Sequence, residues 1–372
     1  MQTNKQKQFL LLGVVSKRNM TESIILKEME ELWSLVMAFG DVQIIDAIVQ
    51  RSDYPDNTTF IGQGKLAEVG DVVKEKHIDV VVLNKIAKPG QIYNLKKKLY
   101  EFNPQIEVWD RVDLILAIFS KHAHTSEAKL QIEIARMRHM GPRIYGMGRI
   151  LSNQAAGIGV IGVGETNTEL MKRHWAGAME KVQRDLEKLV EHRKRQLERR
   201  KRIGLKTVSI VGYTNAGKTT LFNKLTGKEK LMKDQLFATL DSSVGKLYLP
   251  ILQKEILVSD TIGFIKNLPP NLIKAFTSTL SESIHADILL HVIDVSDPDM
   301  DEKIKTVESI LKEINVENSH KIYIFNKTDI IQKLDEEKLS EQYSSFSPIF
   351  LSAKNANGID ALIEILGEKL KG

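Results

Sequence analysis

A glycine-rich octapeptide carries a lysine and a threonine at the spacing that binds nucleotide phosphates. Its sequence, GYTNAGKT, runs from Gly212 to Thr219 between an apolar run and a helical pattern. Glycines let backbone N–H groups wrap the phosphates, and the positive end of the following helix attracts them. In this motif Lys218 contacts the β- and γ-phosphates, and the hydroxyl of Thr219 is a ligand of Mg²⁺. The octapeptide therefore predicts a site for a nucleoside triphosphate rather than a chance glycine-rich turn.

Two shorter motifs follow in the order that GTPases use, and they identify the nucleotide as GTP. The sequence DTIG places Asp260 where a carboxylate holds Mg²⁺ through water, and Gly263 where an N–H contacts the γ-phosphate. The sequence NKTD ends in Asp329, whose carboxylate accepts two hydrogen bonds from guanine. Adenine lacks that donor pattern. Each motif is weak alone, but their order and their positions after apolar runs predict GTP binding.

These motifs, with a later SAK sequence that would support the base, give a full set of candidate site residues. The nucleotide-binding candidates are Gly212, Asn215, Ala216, Gly217, Lys218, Thr219, Thr220, Asp260, Gly263, Asn326, Lys327, Asp329, Ser352, Ala353 and Lys354. The candidate Mg²⁺ ligands are Thr219, Asp260 and Thr239, which lies between the P-loop and DTIG as a switch-I threonine. The candidate catalytic residues are Lys218, Thr239 and Gly263.

The residue after DTIG is Phe264, where many GTPases carry a glutamine that orients the attacking water. A hydrophobic side chain cannot polarise water, so we expect slow hydrolysis unless another group completes the site. That group could come from the chain, from a partner or from a monovalent cation. Asn215 occupies the P-loop position that binds potassium in potassium-dependent GTPases. It either coordinates K⁺ or simply caps the loop, and the sequence does not choose between these.

Alternating strand and helix patterns predict an α/β protein: an N-terminal α/β domain, a long antiparallel helical hairpin and a P-loop GTPase domain. The predicted boundaries are 1–118, 119–202 and 203–372. Strand-like apolar runs of the first domain lie at 9–15, 42–49, 79–83 and 105–110. Those of the last domain lie at 207–212, 255–260, 286–294, 321–326 and 347–352.

The hairpin is predicted from two long helical patterns, at 112–139 and 168–202, that flank a glycine-rich connection. That connection, residues 141–164, contains seven of the 23 glycines in the chain. Glycine-rich segments are usually flexible linkers. Here isoleucine and valine are interspersed among the glycines, which favours a loop that contacts a partner.

Positive charge is concentrated in the hairpin, although the whole chain carries a net charge of only +5. Residues 119–202 hold 18 basic and 9 acidic side chains, and 181–202 alone hold 10 basic and 4 acidic ones. Such a segment is either a solvated helix face or a surface that binds nucleic-acid phosphates. The charge pattern alone does not decide between the two.

Composition excludes several other classes of function. The chain contains no cysteine, so it forms no disulfide, thiolate metal site or thiol nucleophile. No uncharged apolar run approaches the length of a membrane span, and the run at 9–15 is too short for a signal peptide. The four residues 62–65, GQGK, lack P-loop spacing and favour a plain turn over a second phosphate loop. We assign no metal site to His122, His124, His139 and His174, which lack carboxylate partners at ligand spacing.

The chain resembles the HflX-type GTPases over nearly its whole length. The resemblance rests on GYTNAGKTTLFNKLTG (212–227), LFATLDS (236–242), DTIGFIKNLP (260–269) and LSNQAAGIGVIGVGET (151–166). Membership implies a cytoplasmic, monomeric factor that binds the 50S subunit and 70S ribosomes and splits or rescues stalled ribosomes under stress. It also implies Mg²⁺ as cofactor, and that the hairpin tip approaches the peptidyl-transferase region of 23S rRNA.

Two departures from the family pattern qualify this resemblance. The family's loop reads RQGGGIGTRGPGE, and this chain differs from it at Asn153, Ala155, Ala156, Val160, Ile161 and Val163. The more apolar loop suits a different ribosomal environment, such as that met by an antibiotic-resistance relative. A further C-terminal domain, present in many relatives, is expected to be missing. The alternatives from other classes are a GTP-regulated protein-interaction switch and an RNA-remodelling factor that acts away from the ribosome.

Overall fold

The computed structural model describes residues 6–17, 22–155, 163–228, 243–266, 272, 285–316, 320–331 and 335–371. The chain forms two compact units. The first comprises residues 1–121 and 132–184, and the second comprises residues 122–131 and 185–372. No helix in these described ranges is long and apolar enough to cross a bilayer.

The first unit is built on a four-stranded parallel sheet in the order β2-β1-β3-β4. Its strands are β1 (Lys7–Val15), β2 (Val42–Arg51), β3 (Val80–Leu83) and β4 (Glu107–Trp109). The connecting helices are α1 (Glu22–Phe39), α2 (Gln63–Glu75), α3 (Pro89–Leu99) and α4 (Arg111–His122). Every residue of β3 is buried, as are seven of the nine in β1, which explains their unbroken apolar sequences.

The helix predicted at 112–139 is in fact two helices. The first, α4, ends at His122, and the second is α5 (Ser126–Ala155). The hydroxyl of Thr125 accepts a hydrogen bond from the N–H of Ala128 at 3.2 Å, which caps the start of α5. The predicted connection at 141–164 was wrong over its first half, since α5 continues through Pro142. The buried Arg143 pairs with two carboxylates of the same unit and holds this stretch in place.

The second helix of the predicted hairpin is α6 (Val163–Arg202). In the first unit, the indole N–H of Trp175 donates to the carbonyl oxygen of Met137 at 3.2 Å. In the second unit, Arg193 pairs with Glu127 at 3.2 Å. Later residues of α6 thus contact earlier residues of α5, as in an antiparallel hairpin. The connection between them, residues 156–162, lies outside the described residues.

The second unit is built on a six-stranded sheet in the order β10-β9-β8-β5-β7-β6. Its strands are β5 (Thr207–Gly212), β6 (Ser243–Leu249), β7 (Lys254–Asp260), β8 (Ile288–Asp294), β9 (His320–Asn326) and β10 (Ile349–Phe350). Its helices are α7 (Lys218–Thr226), α8 (Met300–Glu313), α9 (Glu336–Gln342) and α10 (Ile359–Lys369). All neighbouring strands are parallel except β6, which pairs antiparallel with β7. Strand β6 was not predicted from the sequence, and its exposed and buried residues alternate at the sheet edge.

Candidate active site

The loop between β5 and α7 can be formed only because two of its residues are glycines. Gly217 has φ +92°, and a Cβ there would lie 2.2 Å from Nδ2 of Asn326. A Cβ on Gly212 would lie 2.3 Å from the carbonyl oxygen of Val292 on β8. At these two positions the loop packs against the neighbouring strands without room for a side chain, and the loop leads directly into the start of α7.

Lys218, the first residue of α7, is 6% exposed. Its Nζ donates to the carbonyl oxygen of Tyr213 at 2.6 Å. Burial lowers the pKa of Lys218 to about 8, although the nearby Asp260 carboxylate opposes this shift. The site therefore holds a cation that lacks sufficient negative charge around it. Phosphate oxygens would supply that charge, which is the electrostatic condition for binding a nucleotide.

Two oxygen-bearing side chains face each other next to Lys218. The hydroxyl of Thr219 donates to Oδ2 of Asp260 at 2.9 Å, and Asp260 is completely buried at the end of β7. A hydroxyl and a carboxylate are hard oxygen ligands of the kind that Mg²⁺ binds together with substrate phosphates. The donor set therefore fits Mg²⁺. The third predicted ligand, Thr239, lies outside the described residues.

Asn326 joins the P-loop to the segment that follows β10. Its Nδ2 donates to the carbonyl oxygen of Ala216 at 2.8 Å, and its Oδ1 accepts from the N–H of Ala353 at 2.9 Å. The hydroxyl of Ser352 donates to Oδ1 of Asp329 at 2.6 Å, while Asp329 itself remains exposed. Two motifs far apart in the sequence thus form one wall, with a carboxylate available to a base.

The remaining candidates lie around this wall. Lys327 has φ +69°, and its Nζ pairs with Oδ2 of Asp294 at 2.6 Å. Lys354 is exposed one residue beyond Ala353, and Thr220 is half-buried in the first turn of α7. The structure therefore brings together the P-loop, DTIG, NKTD and SAK candidates at the carboxyl edge of the second sheet.

Phe264 lies in the hydrophobic core rather than in the nucleotide site. It is 2% exposed and packs with Val211, Leu289 and Val307. Its neighbour Gly263 lies beside the P-loop lysine, since a Cβ on Gly263 would be 2.9 Å from Nζ of Lys218. The side chain that follows DTIG therefore cannot orient a water molecule, for reasons of position as well as polarity.

Asn215 lies at the apex of the P-loop, exposed and with φ +62°. A capping role would require its side chain to hydrogen-bond the loop. Among the residues that the structure describes, no such bond forms. Binding of K⁺ by Asn215 stays a prediction.

Tyr213 was not among the candidates, yet it connects two parts of the site. Its hydroxyl accepts a hydrogen bond from the backbone N–H of Lys266 at 2.8 Å. The two residues are 53 positions apart, and no local pattern could have predicted this contact.

The GQGK sequence in the first unit begins α2, with Gly62 just before the helix. The N–H of Gly62 donates to Oε1 of Gln50 at 2.7 Å, so a side chain already occupies it. The segment is a helix start rather than a loop that wraps a phosphate.

The expectation that the histidines lack carboxylate partners was wrong for His139. Its Nε2 lies 3.2 Å from Oδ1 of Asp110 and 3.4 Å from Oδ1 of Asp113. Arg143 pairs with both carboxylates, at 2.8 and 2.6 Å. Although burial alone would lower it, the hydrogen bonds to Asp110 and Asp113 raise the pKa of His139 to about 9. Nη2 of Arg143 also lies 2.7 Å from Nε2 of His139, so the four side chains form one network of hydrogen bonds and ion pairs.

Three family descriptions match successive parts of the chain. Residues 26–120 match the N-terminal region of GTP-binding GTPases, and residues 122–200 match their middle region. Residues 207–327 match a family described as 50S ribosome-binding GTPases.

Proteins named GTPase HflX are similar to the chain over most of its length. That of Caldanaerobacter subterraneus subsp. tengcongensis is 38% identical over 97% of this chain and 80% of its own length. That of Escherichia coli K12 is 35% identical over 95% of this chain and 81% of its own. That of Methanocaldococcus jannaschii is 39% identical over 92% of this chain and 83% of its own length.

Two solved structures are similar over 98% of the chain. The complex of SsGBP with GDP superposes with a TM-score of 0.56 at 26% identity, over 98% of that chain. A GTP-binding protein from Sulfolobus solfataricus in complex with GDP superposes with a TM-score of 0.51 at 25% identity, over 99% of that chain.

Proposed function

The chain belongs to the HflX family of GTPases and is a GTP-hydrolysing P-loop enzyme, and from that premise we propose that it acts on ribosomes. In this proposal it binds the 50S subunit and the 70S ribosome, and it splits or rescues ribosomes that stall under stress. It works as a monomer in the cytoplasm. The observation that carries the proposal is the joining, in one chain, of a GTP site to a helix covered with basic side chains.

The basic side chains of α6 would contact 23S rRNA. Those that are exposed are Lys172, Arg173, Lys181, Arg184, Lys188, Lys194, Arg195, Arg199 and Arg202. Each phosphate that such a side chain neutralises releases counterions, so the affinity falls as salt rises. We propose that the GTP-bound form docks this surface on RNA and that hydrolysis releases it. The apolar tip loop would then meet ribosomal RNA altered from that of most relatives, as in an antibiotic-resistance variant.

Within the active site we propose distinct roles for the candidate residues. Lys218 binds the β- and γ-phosphates, and the N–H of Gly263 binds the γ-phosphate. Thr219 and Asp260, with Thr239, hold Mg²⁺, which when bound neutralises charge on the phosphate oxygens. Asn215 binds K⁺. Asp329 binds the guanine edge, and its bond from Ser352 fixes the carboxylate in position.

Hydrolysis by this site would depend on the ribosome. Because Phe264 is buried in the core, its side chain cannot contact the attacking water. Phosphoryl transfer is catalysed mainly by positioning and charge stabilisation, so a docked RNA or ribosomal protein can supply what the chain lacks.

Cosedimentation with purified 50S subunits tests the proposal. We expect binding in the presence of a non-hydrolysable GTP analogue and release in GDP. The double variant Lys194→Gln/Arg199→Gln on α6 should bind more weakly and show a shallower dependence on salt. The matched control is Lys305→Gln/Lys312→Gln, which removes two exposed lysines from α8. Cosedimentation that is indifferent to the nucleotide would count against the proposal. Binding that is indifferent to salt would favour a protein-interaction switch instead.

A further inference from the structure

Tyr213 touches both the phosphate-binding lysine and the segment that follows β7. Its carbonyl oxygen accepts a hydrogen bond from Nζ of Lys218 at 2.6 Å. Its hydroxyl accepts one from the backbone N–H of Lys266 at 2.8 Å. Through one residue, the position of the lysine is linked to the position of the DTIG segment.

The backbone on either side strengthens this link. The N–H of Phe264 donates to the carbonyl oxygen of Gly212 at 3.1 Å, and the N–H of Thr214 donates to that of Phe264 at 2.8 Å. Phe264 therefore pairs with Tyr213 at the start of the P-loop in a single parallel bridge. Gly263 is the residue before this bridge, and a Cβ there would be 2.7 Å from Cγ2 of Thr214. A small shift of the segment would move the N–H of Gly263 relative to Lys218.

Helix α8 holds both ends of the contact. The Nζ of Lys303 lies 5.0 Å from the ring centroid of Tyr213, and Lys303 is itself paired with Asp297. The Nζ of Lys266 donates to Oε1 of Glu302 at 2.6 Å. The tyrosine ring and the side chain of Lys266 thus both contact the same helix.

We propose that Tyr213 is a positioning residue that sets the distance between Gly263 and Lys218 and thereby makes the site distinguish GTP from GDP. The P-loop holds the phosphates that both nucleotides share. In the role proposed above, the N–H of Gly263 binds the γ-phosphate, which GDP lacks. Loosening the segment should therefore weaken GTP binding and leave GDP binding unchanged. The inference rests on the role proposed above for Gly263 and is independent of ribosome binding.

The test is the ratio of two dissociation constants, for a non-hydrolysable GTP analogue and for GDP, measured without ribosomes. Tyr213→Phe removes the hydroxyl and keeps the ring under Lys303. We expect it to weaken binding of the GTP analogue by about three- to tenfold, as for one lost hydrogen bond, and to leave the affinity for GDP unchanged. Lys303→Met, which frees the ring but keeps the hydroxyl, should give a smaller change of the same kind. Tyr248→Phe is the matched control, because that tyrosine is exposed on β6.

A loss of affinity that is equal for both nucleotides would show a purely structural role and overturn the inference. So would a Tyr213→Phe variant whose ratio equals that of the unaltered protein. Neither result would bear on whether the protein binds 50S subunits, since no ribosome is present in the measurement.

Discussion

The side-chain amide of Asn326 lies 2.8 Å from the carbonyl oxygen of Ala216, in the space that a side chain at position 217 would fill. The glycine of the P-loop and the asparagine of the NKTD motif are therefore one structural feature. The glycine leaves the room, and the asparagine uses it to bind the loop.

Asn326→Ala should destabilise the second unit and weaken the binding of GTP and GDP to the same extent. The substitution leaves the Ala216 carbonyl and the Ala353 N–H without partners in a buried site, which costs about 2–4 kcal/mol of unfolding free energy. Thermal unfolding and GDP titration measure the two effects. Asn355→Ala is the control, because Asn355 is exposed and its backbone N–H, which the substitution keeps, donates to the hydroxyl of Ser352. Unchanged GDP affinity in Asn326→Ala would show that the bridge does not support the loop.

Asp329→Asn should change the preferred base from guanine to xanthine. Guanine presents two donors to a carboxylate, whereas xanthine presents an oxygen that the amide N–H₂ of asparagine can bind. Asp329 is exposed, so the substitution leaves the core undisturbed. Competition of GDP and XDP for the site measures the preference. A variant that still prefers GDP would refute the assignment of Asp329 to the base.

Nucleotide binding at alkaline pH should take up a proton. Burial holds the pKa of Lys218 at about 8 in the free protein, so the amine is largely neutral at pH 9. Bound phosphates favour the charged amine and raise its pKa, so the protein must gain a proton as GDP binds. Calorimetry at pH 9 in buffers of different ionisation enthalpy counts that proton. The uptake should vanish at pH 6.5, where Lys218 is already charged. Binding at pH 9 without proton uptake would contradict this assignment.

The charge on His139 should stabilise the first unit more near pH 6 than at pH 9. The folded-state pKa of His139 is about 9, above the unfolded value of about 6.5, so its contribution is complete below pH 6.5. The contribution then decreases as pH rises and disappears near pH 9. His139→Gln should therefore lower the melting temperature strongly at pH 6 and little at pH 9. His174→Gln, exposed on α6, is the control. A penalty independent of pH would show that packing, not charge, is lost.

Motifs that act through local backbone geometry could be predicted from the sequence, whereas contacts between distant segments could not. The P-loop was predictable because its glycines are required by φ angles and close approach at Gly212 and Gly217. The partners of His139, Asp113 and Asp110, lie 26 and 29 positions away, in and just before α4, and sequence periodicity does not indicate contacts over such distances. For the same reason the contact of Tyr213 with Lys266 was missed.

The predicted helix boundaries were wrong where tertiary contacts outweigh the local conformational preference of the sequence. Apolar residues recur at helical spacing on both sides of Thr125 within 112–139, so the break between the two helices was not evident from the sequence. Pro142 and the glycine before it favour a loop by propensity, yet helix α5 continues through both residues. Arg143, the next residue of the helix, is held by its ion pair with Asp110. Strand β6 was missed because edge strands are short, polar and alternating, and so give a weak signal.

The most direct test of the proposed function is phosphate release with and without purified 50S subunits, in potassium and in sodium. We predict slow turnover by the protein alone and stimulation by 50S subunits of roughly tenfold or more, in line with what a partner contributes to other incomplete GTPase sites. Potassium should increase turnover over sodium, and Asn215→Ala should remove that difference. Lys218→Ala should abolish turnover in every condition. Fast turnover in sodium without ribosomal particles would contradict the claim that a ribosomal partner completes this active site.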